Sequence, residues 1–232
     1  ATIDKLLNNR TYVEVYQEYG RKYPDAGYGK MFKAWFESDN PQPYGSYANG
    51  SAMRVSPIGL MYRGYYETVR QAYESSAVTH NHIDATNAAE CIAVLIWRAR
   101  SGHCNKAGLR HYIEKSFGYD MSFDLMELKK TYVHDVSAKG TMPVALKAFL
   151  DSTDYEDCIR LAISIGGDSD TIACIAGALA EAYYKEIPKY IIEETRKRLP
   201  SSFVELIDAY YKHVRWYIVA GETKYLVSGS EK

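Results

Sequence analysis

The sequence has no charge surplus, no metal-spaced cysteines and no long apolar run, and each absence removes a class of function. With 28 basic against 29 acidic residues the formal net charge is −1. That leaves no footprint for a nucleic-acid backbone or an anionic membrane. The four cysteines, Cys91, Cys104, Cys158 and Cys174, fall in no CxxC or other ligand spacing. Cys91 and Cys174 sit among apolar residues and read as small core hydrophobes. This is the usage of a reducing compartment, so a cytoplasmic location is the expectation. No run approaches the ~20 apolar residues of a membrane span. Phenylalanine is scarce: six against 22 tyrosines, which fits amphipathic rings at the margins of a core.

The chain is otherwise ordinary for a globular protein, with 232 residues, 47% hydrophobic and 25% charged. At that length roughly 70% of the unfolded surface can be buried without staples. Helical signals run from end to end. Thr11 with Glu14 reads as a capping box. Met31, Phe32, Trp35 and Phe36 repeat at helical spacing up to Asn40-Pro41-Gln42-Pro43. The clearest stripe is Ala88, Cys91, Ile92, Leu95, Ile96 and Ala99. Asn105 and Asp154 read as caps, the latter of a helix with Ile159, Ala162 and Ile163 inward. Pro143 suits a first helical turn, Pro188 another, and Ser202 with Glu205 a further cap. Ala173, Ala176, Gly177 and Ala180 form a stripe of small residues that admits a close neighbour. Only short strands near Val214 to Val227 are conceivable. The expectation is one all-α domain over 1–232, a compact multi-helix bundle with at most minor β structure near the C-terminus.

Three stretches carry possible chemistry. In Ile165-Gly166-Gly167-Asp168-Ser169-Asp170-Thr171, two carboxylates and a hydroxyl open a helix of small residues. Such oxygen donors suit Mg²⁺, which takes few carboxylates and keeps its waters. Helix capping accounts for one acceptor at that place equally well, but not for a second carboxylate beside a double glycine. The loop from Tyr44 to Arg54, rich in glycine and hydroxyls, could offer N–H groups to phosphate or form an ordinary turn. Val78-Thr79-His80-Asn81-His82 could bind metal, orient a substrate or cap a helix.

Together, and in this order, these stretches resemble the ADP-ribosylglycohydrolase family. The similar segments are Asn49-Gly50-Ser51-Ala52-Met53-Arg54-Val55-Ser56-Pro57, Thr79-His80-Asn81-His82 and Gly166-Gly167-Asp168-Ser169-Asp170-Thr171-Ile172-Ala173. The resemblance continues through Ile175 to Tyr184, and Tyr23-Pro24-Asp25-Ala26-Gly27-Tyr28-Gly29 is similar to bacterial members. It implies an all-α bundle with a binuclear Mg²⁺ site in a cleft. Asp168, Asp170 and Thr171 match metal-holding positions. Gly45, Ser46, Tyr47, Asn49, Gly50 and Ser51 fall in the loop lining the ADP-ribose site, and His80 matches a histidine beside the nucleotide, with His82 second. The implied reaction is hydrolysis at C1″ of ADP-ribose on a modified acceptor.

Two departures matter. Family members begin with a Gly-Asp segment ending in a catalytic glutamate, followed by Thr-Asp-Asp-Thr, and neither occurs here. The chain thus reads as N-terminally incomplete, with no certain catalytic residue and with weak or absent Mg²⁺ binding. After His82 comes Ile83-Asp84-Ala85, where relatives often carry Pro-Glu-Gly. Two functions remain open: a glycohydrolase inactive as this chain alone, or a non-catalytic domain that binds ADP-ribose or a protein.

Overall fold

The helix Ile83–Arg100 runs through the middle of the molecule, and eleven of its residues are buried. Its sequence explains this: apolar and alanine positions occur nearly all round, as a helix enclosed by others requires. Ile92, Leu95 and Ile96 have no exposure, each contributing about 1.5–3 kcal/mol by burial. Helices Ser56–Met61, Tyr65–Ala77, Ala138–Asp151 and Ser169–Tyr184 pack around it. The structure, a computed structural model, describes residues 1–102, 104–214, 216–219 and 222–225.

The chain enters through Thr2–Asn8 and Tyr12–Lys22, and Thr11 and Glu14 close the expected capping box. Lys30–Glu37 lies against Tyr12–Lys22, where Gly20 faces Phe36 so closely that a Cβ would stand 2.6 Å from the ring. Asn105 and Asp154 cap Lys106–Tyr112 and Tyr155–Ser164 as their types suggest. Pro188 precedes Lys189–Arg198. A single cluster of buried side chains links Tyr12 near one end to Tyr210 near the other. Among the described residues the fold is all-helical apart from an antiparallel pair, Trp216–Val219 with Glu222–Tyr225. That pair falls in the stretch where short strands were conceivable; Val227, its end, lies outside the described residues.

Four sequence expectations need correction. Pro143 is inside Ala138–Asp151, not in its first turn, because Ser137 caps the helix earlier by accepting from the Gly140 N–H. Ser202 is likewise within Ser201–His213, which follows Pro200 with no side-chain cap. Ile163 is 53% exposed, since Cys158, Ala162 and Ile165 supply the inward face there. Cys174 is exposed too, lying off the buried row of Ile172, Ile175, Ala176 and Leu179. The small-residue stripe serves as expected: a Cβ on Gly177 would meet Ile159 Cδ1 at 2.7 Å.

Candidate functional site

The segment after Lys30–Glu37 is pinned to a distant one before it reaches the cleft. The Asn49 N–H donates to the Val136 carbonyl at 2.9 Å, and the Ala138 N–H to the Tyr47 carbonyl at 2.8 Å. Gly45, at φ 69°, turns the chain so that its N–H reaches Asn81 Oδ1 at 2.7 Å. A left-handed turn of this kind suits glycine, which has no Cβ to clash.

A second tight reversal presents the aspartates. Gly166 and Gly167 both have positive φ, 81° and 63°, and a Cβ on Gly167 would stand 2.7 Å from the Tyr132 ring. Asp168 then occupies the N-cap of Ser169–Tyr184 but makes no side-chain capping bond. Its carboxylate instead accepts from Asn49 Nδ2 at 2.6 Å, and the same amide group donates to Thr141 Oγ1 at 2.9 Å. Asp170 Oδ1 accepts from the Thr171 N–H at 2.8 Å, and the Thr171 hydroxyl rests on Met53 Sδ at 3.5 Å. Capping therefore does not account for Asp168.

These groups line one cleft of about 850 Å³. Ser46, Asn49, Gly50, His80, Asp168, Asp170 and Thr171 all reach it. Of the other expected loop residues, Gly45 shapes the turn. Tyr47 is 58% exposed, its ring edge-on to His82 at 5.9 Å. Ser51 is fully buried and donates to the Ala85 carbonyl at 2.9 Å. His82 caps the central helix, its Nδ1 accepting from the Asp84 N–H at 3.2 Å. No glutamate is among the described residues lining the cleft.

Arg54 and Thr79 lie in the family-like segments of the sequence, where nothing gave them a role. Arg54 lines the cleft beneath the Tyr16 ring, 4.4 Å from its centroid. It donates through Nη2 to the Ser75 carbonyl and to Thr79 Oγ1, each at 2.7 Å, while its Nε is buried without a partner. His80 is nearly buried, with Nδ1 2.7 Å from Thr79 Oγ1. Burial, helped by the nearby Arg54 charge, pushes the His80 imidazole down to about 3, so it is neutral at pH 7. Aromatic rings also line the cleft: Tyr16, Tyr19, Tyr28, Phe32 and Tyr44. Tyr28 meets Phe32 edge-on at 5.2 Å. Phe32 showed in the sequence as part of a helical repeat, Tyr28 and Tyr44 as members of motif segments, and Tyr16 and Tyr19 in the surplus of tyrosine.

The ADP-ribosylglycohydrolase profile matches residues 4–217. The chain belongs to the ADP-ribosylglycohydrolase family. Among relatives of this family member, the ADP-ribosylarginine hydrolase Tri1 of Pseudomonas putida is 29% identical over 59% of this chain and 38% of its own length. ADP-ribosylhydrolase ARH3 of Homo sapiens is 27% identical over 79% of this chain and 68% of its own. An Archaeoglobus fulgidus protein is 29% identical over 64% of this chain and 53% of its own. The family member thus spans about half or less of two of these relatives. A solved structure, that of an ADP-ribosylglycohydrolase-related protein complex, superimposes with a TM-score of 0.70 at 25% identity, covering 92% of this chain and 78% of the other. Among the described residues no helix is long and apolar enough to cross a membrane.

Proposed function

We propose that the cleft binds ADP-ribose, free or on a modified acceptor, and is part of a Mg²⁺-dependent site for hydrolysis at C1″. The convergence of Asp168, Asp170, Thr171, Asn49 and His80 on one cleft carries this reading, supported by family membership. The oxygen donors of two carboxylates and a hydroxyl suit a hard cation, and Asp168 and Asp170 would hold it, with Thr171 beside them. Mg²⁺, when bound, would hold ribose hydroxyls and lower the pKa of a reacting water. Asn49 keeps Asp168 turned to the cleft, His80 offers an N–H to a nucleotide oxygen, and the aromatic rings lining the cleft exclude water.

The chain alone is expected to be inactive. Among the described residues no glutamate lines the cleft. Stabilising charge at C1″ needs groups already in place, and losing several that act as a unit leaves little rate.

The test is ADP-ribose release from ADP-ribosylated arginine or serine peptides, with and without chelator. The 232-residue chain should release none, whereas a chain extended with the family's glutamate and Thr-Asp-Asp-Thr elements should, until Asp170→Ala abolishes it. Chelator-sensitive turnover by the chain itself would overturn its inactivity. Failure of the extended chain would overturn the hydrolase reading.

A further inference from the structure

His80 sits in the cleft wall with both ring nitrogens constrained, and the constraint comes from two residues that have no assigned role. Thr79 is fully buried. Its hydroxyl oxygen accepts from Arg54 Nη2 at 2.7 Å, so one lone pair is taken. A hydroxyl has one proton to give, and the acceptor within reach is His80 Nδ1, at 2.7 Å. The opposite arrangement, with Nδ1–H donating to Thr79, would leave the threonine proton buried with nothing to accept it, a cost proteins avoid. Arg54 has no such freedom, since guanidinium only donates. It is held by the Ser75 carbonyl, through the same Nη2, and by the Tyr16 ring.

The far nitrogen must then carry the proton. Nε2 faces Gly50, where an added Cβ would stand only 3.2 Å away, so the glycine keeps that edge of the ring clear. The backbone fixes the ring from behind, with the His80 N–H on the Ser76 carbonyl at 2.8 Å and Ser76 Oγ donating to the His80 carbonyl at 2.8 Å.

The geometry points to Thr79 as a positioning residue: oriented by Arg54, it locks His80 in the Nε2–H tautomer and presents one fixed, neutral donor to an oxygen of the ligand. The role of the ligand rests on the proposal that the cleft binds ADP-ribose; the lock itself does not. A neutral donor suits a cleft that also holds two carboxylates. It can engage a ligand oxygen without forming an ion pair with Asp168 or Asp170, as an imidazolium would.

The experiment is ¹⁵N–¹H correlation NMR of the histidine-labelled chain, with calorimetric titration of ADP-ribose. The wild-type His80 ring should show a protonated Nε2 and an acceptor-type Nδ1. Thr79→Val, nearly isosteric but without the hydroxyl, should mix the tautomers and weaken ADP-ribose binding roughly three- to tenfold, one hydrogen bond's worth. Thr79→Ser should restore both. A wild-type ring protonated at Nδ1 overturns the lock, whatever the calorimetry shows. Tautomers mixed by Thr79→Val with unchanged affinity overturn the positioning role. No ADP-ribose binding by a wild-type chain whose ring is locked overturns the reading of the cleft and leaves the lock established. Should Thr79→Val unfold, the serine variant and the wild-type spectrum still decide the tautomer.

Discussion

Asn49 and Asp168, 119 residues apart in sequence, meet at 2.6 Å through an amide N–H and a carboxylate oxygen. The contact joins the loop that enters the cleft to the turn that delivers the aspartates. It also makes Asn49 a neutral partner to a carboxylate in a place where a second charge would repel it.

Substituting this asparagine tests that relationship. Asn49→Ala removes the bonds to Asp168 and Thr141 and should cost about 1–2 kcal/mol of stability. Asn49→Asp should cost more at pH 7, by about 1–3 kcal/mol in all, because like charges a few ångströms apart disfavour ionisation of both. Urea unfolding of the two variants checks this. Equal midpoints would show that the amide does not shield the carboxylate.

The packing of the central helix makes a sharper stability prediction. A Cβ on Gly59 would lie 2.5 Å from the Ala93 carbonyl oxygen and 2.7 Å from Ile96 Cβ. Backbone cannot yield there, so the helix Ser56–Met61 must move off its neighbour. Gly59→Ala should lower stability by about 1–3 kcal/mol or more, although alanine is intrinsically the better helix former by up to ~1 kcal/mol. An unchanged thermal midpoint would mean that the two helices do not pack this closely.

Gly50→Ala separates stability from binding. Its Cβ would meet only the His80 Nε2 edge, at 3.2 Å, a contact that a small ring shift relieves. Stability should change by no more than ~1 kcal/mol, since helix propensity and crowding oppose each other. ADP-ribose affinity should fall, because the displaced ring no longer faces the same oxygen. Calorimetry showing full affinity would place the ligand elsewhere.

His80 should also make stability pH-dependent in a stated direction. Its folded value is depressed to about 3 from an ordinary 6.5, by burial and then by Arg54. The contribution is therefore complete above pH 6.5. It declines as pH falls towards 3, where the unfolded chain takes up a proton that the folded ring refuses. The slope is up to about 1.4 kcal/mol per pH unit. In His80→Asn that slope should be absent, so the stability gap between the two proteins should shift in the variant's favour between pH 6.5 and 4.5. Parallel curves would show that His80 protonates freely in the fold.

Local chemistry along the chain determined much of this protein without any tertiary information. Thr11 with Glu14, Asn105 and Asp154 cap helices because a short side-chain oxygen reaches a nearby N–H wherever the chain goes. The stripe from Ala88 to Ala99 dictated a helix by its period, and the apolar residues between its members buried the rest of it. Where two local signals competed, tertiary packing chose. Ser137 began the helix that Pro143 alone suggested starting later, and Ile163 was left outside when Cys158 and Ala162 turned inward. The cleft groups could be named from their motifs, but not their partners. Nothing between positions 49 and 168 encodes that an amide will shield that carboxylate, and nothing in Thr79-His80 says which nitrogen is protonated. Those facts depend on Asn49 and Arg54, at the two ends of Gly50–Met53, and on Thr141 of Ala138–Asp151 arriving beside Asp168 and Thr79, and hydrogen bonds of a few ångströms between residues remote in sequence exist only once the whole bundle has closed.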